Sequence, residues 1–503
     1  MPALSRDGIG LVAANAVALM AGAGASLAYA RWLEPASFAH WAMALAAGRC
    51  ALLLLDGGLK TVLVRQPQDP DTQTWRTLER GCAAAALGLT VVLAAALAGL
   101  AAAGVIATTA AALLVIYPAA YLLSYPALLP ALARLERSGR FGALGRVEGI
   151  TALVELVLPA LLMACGLAWW LSFCVAAVLA RSWRTWQTRA VERAIGPLPA
   201  QAQAQAQAPV AVPSAGEARR LLRAGLAQQA VFALAMLRDL THVWLLGPWF
   251  GKAWVGQYAL AHSASALVCQ PLVLGATRML LPELRTLAPA QRRQRVMQQI
   301  SGLCMASLPP MLLLPLALAS ADAWLGAGKW ADARALLPWL GLRLVGGVVA
   351  TVLGTWLCVQ AAPWAATRAH ARWTLVEIVG ALAGLALGGP PGLAMASAVS
   401  VWFAAWDFCG VLAAPGQRLG LLREAAACAL GRPSLLVAGA GLWLLQRWPQ
   451  PWPWLPLLPL LAWLAEARVR QALRRLALRL VAGRAGPPLA ATLPGQGAHR
   501  SAR

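Results

Sequence analysis

The sequence predicts an all-α polytopic membrane protein: about 14 transmembrane helices, as two six-helix bundles related by a pseudo-two-fold axis along the membrane normal, plus two additional C-terminal helices. Three observations carry this expectation. Sixty per cent of the 503 residues are hydrophobic and only 12% are charged, more apolar surface than a water-soluble domain of this size could bury. The apolar residues fall in long, continuous Ala/Leu-rich runs rather than the short alternating segments of a barrel. The basic residues alternate in density from loop to loop, as they do in inner-membrane proteins.

The first span is 9–30, which carries no charge over 22 positions; that is about 33 Å of helix, enough for one hydrocarbon core. Arg6, this run and Ala28-Tyr29-Ala30 imitate a secretory signal, but the apolar stretch is longer than a signal core, so a retained span is expected. The second span is 38–64. Gly81 to Ala133 is uncharged over 53 positions, too long for one crossing, and divides into 81–102 and 109–131 around Ala103 to Thr109. Spans five and six are 143–165 and 167–183. A low-complexity break follows, Arg189 to Ala215, with Gln-Ala repeats and Pro-Val-Ala-Val-Pro. Six further spans are 222–248, 254–279, 299–321, 335–360, 372–388 and 391–413, and the last pair is 425–446 and 452–467. The expected organisation is an N-terminal lobe (1–190), a cytoplasmic linker (191–217), a C-terminal lobe (218–415), two extra helices (416–467) and a basic tail (468–503).

With the N-terminus inside, the inner loops, tails and adjoining span ends hold 33 of the 42 basic residues and the outer loops hold five: Arg31, Lys252, Lys329, Arg334 and Arg447. Dropping any one helix destroys this alternation, so both termini are expected in the cytoplasm. The net charge of +23 is therefore read against a membrane and not against nucleic acid, whose binders concentrate charge on polar faces that this chain scarcely has.

A shift of 217 places Arg31-Trp-Leu-Glu-Pro-Ala-Ser-Phe-Ala-His-Trp-Ala-Met-Ala44 over Pro248-Trp-Phe-Gly-Lys-Ala-Trp-Val-Gly-Gln-Tyr-Ala-Leu-Ala261. Trp32/Trp249, Ala36/Ala253, Ala42/Ala259 and Ala44/Ala261 are identical, and Trp41/Tyr258 and Phe38/Val255 are similar. An internal repeat of six helices, an even number, gives two lobes of one orientation with a cleft between them.

The nine cysteines lie within or beside spans without a C-x-x-C pair, and read as small buried apolar residues. His242 and His262 lie in spans and read first as packing residues. No metal site is expected. The informative residues are the intramembrane charges, which are costly in hydrocarbon and persist mainly where they face a cavity or a partner. In span two, Arg49, Asp56 and Lys60 fall within about 20° of one another around the helix. Asp56 and Lys60 can pair at i,i+4, which leaves Arg49 as the unneutralised cation; a Lys60 that snorkels to the inner surface is the alternative. Span seven brings Arg238 and Asp239, about 100° apart, so both cannot point straight into one cleft. Arg343 in span ten and the acids Glu155, Glu377 and Asp407 in spans five, eleven and twelve complete the set, the acids serving either as interhelical charge partners or in ion coupling. A cleft with Arg49 and Lys60 on one side and Arg238 and Arg343 on the other suits an anionic head group such as a diphosphate.

Arg31-Trp-Leu-Glu-Pro-Ala-Ser-Phe38 with Leu52-Leu-Leu-Leu-Asp-Gly-Gly-Leu-Lys-Thr-Val-Leu-Val-Arg65, and Leu237-Arg-Asp through Gly256-Gln-Tyr-Ala259 with Pro271 and Pro282 beyond, carry a resemblance. Over about residues 5 to 415 the chain resembles the polysaccharide (Wzx-type) flippases of the multidrug/oligosaccharidyl-lipid/polysaccharide exporter superfamily. The resemblance implies two six-helix bundles, an alternating-access path and no enzymatic step. It also implies transfer of undecaprenyl-diphosphate-linked sugar repeat units across the bacterial inner membrane for O-antigen, exopolysaccharide or capsule. Lipid-linked oligosaccharide, membrane lipids and the pathway's glycosyltransferases and polymerase are the implied partners. No cofactor is implied beyond coupling to an H+ or Na+ gradient or the membrane potential. The superfamily's drug exporters often place a coupling acid in span one or seven; span one has none here, and Asp239 keeps a cation-coupled multidrug exporter open.

A membrane glycosyltransferase or polymerase is the rival class, but no outer loop exceeds about a dozen residues, too short for a substrate-holding domain. Asp69-Pro-Asp71 imitates a D-x-D metal motif in a short inner loop where a solvated turn is expected. Gly326-Ala-Gly-Lys329 lacks the first Gly and the Ser/Thr of a phosphate loop. The tail from Glu466 to Arg484 reads either as a basic amphipathic helix on the inner leaflet or as a solvated end.

Overall fold

The computed structural model describes residues 25–430 apart from 57–58, 61–62, 64–71, 138–139, 196–214, 321, 327, 362 and 414–415. Every long element among them is a helix. The end of the first is α1 (25–32). It is followed by α2 (Pro35–Asp56), α3 (Thr72–Ala102), α4 (Thr108–Arg137), α5 (Phe141–Ala164) and α6 (Trp169–Ile195). The second set begins with α7 (Ala215–Phe250), α8 (Lys252–Thr286), α9 (Pro289–Ser320) and α10 (Ala331–Gln360), with a single turn, Asp322–Leu325, before α10. Pro363–Leu412 comprises two helices, α11 and α12, joined at non-helical Gly388 and Gly389. α13 (Arg418–Leu430) closes the described chain.

The α11–α12 joint shows how local chemistry makes a hairpin. Gly389 has φ +60° and ψ −151°, a conformation open essentially to glycine alone. Pro390 and Pro391 follow at the first turn of α12, where a missing N–H costs nothing. The two helices then return antiparallel, with Ser397 and Ser400 donating to Glu377 and Arg372 reaching Asp407. Their backbones touch at Gly384 and Gly392, where a Cβ on Gly384 would lie 2.3 Å from the Gly392 carbonyl oxygen.

Seven stretches among the described residues are long and apolar enough to cross a membrane: α2, α3, α4, α5, α7, α10 and the α11–α12 hairpin. The three prolines inside α4, Pro118, Pro126 and Pro130, are of the kind spanning helices tolerate. Most of the expected span one, part of span thirteen and all of span fourteen lie outside the described residues, as do 196–214 of the expected linker and the basic tail; the linker's first and last residues instead continue α6 and open α7. The described residues cluster as one compact unit.

Within this unit the packing repeats with a shift of six helices. α4 is the hub of the first set, contacting α2, α3 and α6, and α10 is the hub of the second, contacting α8, α9 and the α11–α12 pair. α1 packs against α5 and α6 through Tyr29, which donates to the Leu156 carbonyl and meets the Phe173 ring edge-on at 4.8 Å. α7 correspondingly packs on α11–α12. The largest core cluster crosses both sets, with Tyr29, Phe38, Trp41 and Phe173 on one side and Leu246, Tyr258, Trp330 and Leu337 on the other. Trp32 and Trp249, paired by the sequence repeat, are both exposed at the same end of their lobes, where amphipathic rings suit a membrane interface.

Candidate functional site

In the first lobe four helices converge below Gly48 and Arg49. α2 approaches α4 closely, since a Cβ on Gly48 would stand 3.4 Å from the Tyr121 ring. Tyr117 and Tyr121 on α4 both donate to one carboxylate oxygen of Glu155 on α5, the Tyr117 bond being 2.6 Å. Arg181 on α6 pairs with the other carboxylate oxygen, donates to the Tyr121 hydroxyl at 2.7 Å and lies over the Tyr121 ring, 3.7 Å from its centroid. The Arg181 and Glu155 side chains are only 12% and 10% exposed. The Arg181 and Glu155 charges are thus paired within the lobe, as burial in low dielectric requires, while the Arg181 Nε is left without a hydrogen-bond partner.

Arg49 sits at the edge of this network and outside its bonding. Its side chain is exposed, and it has no hydrogen bond or ion pair with another described residue. It lies within electrostatic reach of Glu155 and Tyr121 in its own lobe and of His262 on α8 in the other. Arg49 is thus exposed and close enough to titratable groups of both lobes to interact with them.

The second lobe gathers its charges around Arg343 on α10. Its guanidinium is 3.7 Å from Asp239 on α7, 3.8 Å from Glu377 on α11 and 3.4 Å from Nδ1 of His262. Glu377 is fully buried, whereas half of the Asp239 side chain is exposed. His262 belongs to a ring stack with Tyr258 and His242, the latter two 4.6 Å apart and nearly parallel.

The two lobes are joined chiefly at the end that carries the few basic loops. Trp330 Nε1 donates to the Ala30 carbonyl at 2.8 Å and its ring meets Phe38 edge-on at 5.5 Å. Lys329 donates to the Arg31 carbonyl at 3.3 Å and pairs with Glu34 at 3.7 Å. Gly256 comes so close to Pro35 that a Cβ would overlap the Pro35 carbonyl oxygen at 1.8 Å. Toward the opposite end, Gln229 on α7 donates to the Leu53 carbonyl at 2.5 Å.

Placement of the remaining candidates corrects parts of the sequence reading. Lys60 does not pair with the Asp56 carboxylate through its ammonium; Glu136 on α4 takes it at 3.1 Å, and Asp56 accepts from Tyr125 and from the Lys60 backbone N–H. The i,i+4 neighbour lost to an acid on α4, two helices on. Arg238 does not join Arg49 across a cleft. It is buried against α11, donating to Thr374 at 2.8 Å and lying over Trp373, 3.6 Å from the ring centroid. Asp239, the next residue, turns toward Arg343 as the 100° step requires. Asp407 is held by Arg372 at 2.8 Å and by Arg418 at 3.8 Å. The span expected at 167–183 runs on as helix α6 to Ile195, and the pairs Arg181 with Glu155 and Arg184 with Glu148 zip it to α5. Acids seven apart on one span facing arginines three apart on the next are the pattern that marks this zipper. Among the described residues no group of three metal-ligating side chains is present.

No family model matches the sequence, and no curated protein matches it. Solved structures do. The structure titled lipid II flippase MurJ, inward closed conformation, aligns with TM-score 0.61 over 93% of this chain and 99% of that chain, at 9% identity. The eukaryotic MATE transporter AtDTX14 aligns with TM-score 0.51 over 84% of this chain and 97% of that chain, at 15% identity. An inward-facing multidrug resistance MATE family transporter of the MOP superfamily aligns with TM-score 0.50 over 82% and 95%, at 13% identity. At these identities the likeness is one of fold, and the chain has the multi-pass, all-helical membrane fold shared by the MurJ flippase and the MATE transporters.

Proposed function

We propose that the protein is a flippase that moves a lipid-linked oligosaccharide, an undecaprenyl-diphosphate-linked sugar repeat unit, from the cytoplasmic to the outer leaflet of a bacterial inner membrane. Its product serves O-antigen, exopolysaccharide or capsule synthesis. The carrying observation is Arg49. Every other candidate cation described in the lobes is committed: Lys60 to Glu136, Arg181 to Glu155, Arg238 to Thr374 and Trp373, and Arg343 to Asp239 and Glu377. Of these candidates Arg49 alone is exposed with no hydrogen bond or ion pair to a described residue, and it lies within electrostatic reach of groups in both lobes. A diphosphate leaving water must exchange hydration for fixed donors, and a guanidinium offers a planar fork for it. The MurJ likeness, at the level of fold, supports a lipid-linked cargo. The arginine-rich end faces the cytoplasm in this reading, and an H+ or Na+ gradient or the membrane potential supplies the driving force.

The test is genetic and biochemical. Deleting the gene should stop surface polysaccharide while lipid-linked units accumulate at the inner leaflet. Arg49→Ala should fail to restore export at normal membrane abundance, and Arg49→Lys should restore it in part. Full export by Arg49→Ala would overturn the anion-site mechanism. A second reading, a cation-coupled multidrug exporter, is favoured by the half-exposed Asp239 on α7; it predicts dye resistance lost in Asp239→Asn with surface polysaccharide unchanged.

A further inference from the structure

The network under Arg49 has a charge count that bears on how tightly a head group is held. Arg49 and Arg181 contribute two positive charges, and Glu155 removes one. Glu155 is gripped by Tyr117, Tyr121 and Arg181 at once, and it also lies within the electrostatic reach of Arg49. Arg181 keeps its buried Nε without a hydrogen-bond partner, so its fork is only partly used by the carboxylate. A carrier site must bind well enough to load and weakly enough to release, the constraint that also governs ion conduction.

We propose that Glu155 is a positioning residue that sets the affinity of the anion site: by masking Arg181 it presents the diphosphate with one uncompensated cation instead of two. This rests on the flippase reading above and deepens it, because it assigns the release step to a residue the head group does not touch. Tyr117 and Tyr121 hold the carboxylate in place, and the Tyr121 ring, in contact with Gly48, fixes the position of Arg49 relative to it. Removing the Glu155 charge should therefore strengthen binding, the opposite of what a merely structural role gives.

The experiment measures binding of farnesyl diphosphate, with farnesol as the uncharged control, to the purified full chain in lipid nanodiscs. Export by the same variants is measured in cells. Glu155→Gln should bind the diphosphate about tenfold or more tightly than the wild type, the scale of one added charge about 10 Å away at an effective dielectric of about 20, and should export more slowly. Arg181→Gln should bind at least about tenfold more weakly, since Glu155 then opposes Arg49. The double variant, neutral at both positions, should return to wild-type affinity, which keeps the test decisive if one single variant does not fold. Glu155→Gln or the double variant binding more weakly than wild type, with Arg49→Ala abolishing binding, would show that the cluster only supports the fold and overturn the proposal alone. Wild-type binding by Arg49→Ala would overturn the flippase site and this inference together.

Discussion

Side chains that look alike in sequence separate by their partners. Arg49 and Arg238 are both single arginines inside apolar runs, yet one is exposed with no described partner and the other is buried against Thr374 and Trp373. Arg238→Ala should cost about 2–3 kcal/mol, through lost hydrogen bonds and the cation–π contact, while Arg49→Ala should fall within about 0.5 kcal/mol of the wild type. Thermal unfolding of the purified variants checks both. Glu377→Ala should be harsher. It strips a fully buried carboxylate from Ser397, Ser400 and Arg343, and a buried pair broken on one side costs about 3–5 kcal/mol; low membrane abundance, restored by no change in substrate supply, is the expected readout. The sequence placed Arg49 on a polar stripe because helical angle is readable from spacing. It could not give Lys60 its partner or place Arg238, since both depend on which helix lies alongside.

At the level of the helix, length and apolarity were legible where lipid removes every alternative to hydrogen-bonding within the segment. The break at Gly389 falls between two expected spans because Gly-Gly-Pro-Pro both permits and forces a reversal. The extension of α6 to Ile195 was not legible from hydropathy, because Arg181, Arg184 and Arg189 pair with acids on α5 and α3. Glycine-mediated contacts were equally hidden. Gly384→Val should force α11 and α12 apart, since the Gly392 carbonyl already fills the space of a Cβ; a loss of more than about 2 kcal/mol is expected from overpacking at a backbone contact. Gly389→Ala strains a single residue and should cost about 1–3 kcal/mol. Melting temperatures of the two variants should fall in that order, and an unchanged Gly384→Val would show that the hairpin opens at no cost.

On the scale of the whole molecule, the sparse-charge end and the end where the lobes touch coincide: Arg31, Lys329 and Trp330 lie at both. Reporter fusions should therefore read cytoplasm after Ala202 and after Leu287 and outside at Ile106 and Gly389, because Lys and Arg density sets which loops are retained. An outside signal at Leu287 would invert the second lobe and break the common orientation that its six-helix offset requires. In the proposed flippase reading, with that orientation, the lobe contacts at Trp330 and Gly256 close the outer face and Arg49 meets substrate from the cytoplasm. Gly256→Val should disturb this seal directly, since its side chain would collide with the Pro35 carbonyl. A cysteine introduced at Phe38, buried beneath Trp330, should then react with a membrane-impermeant thiol reagent added outside, whereas the same cysteine in the Gly256 background should stay protected. Equal protection in both backgrounds would mean that the lobes do not part at this end, and alternating access would have to use another hinge.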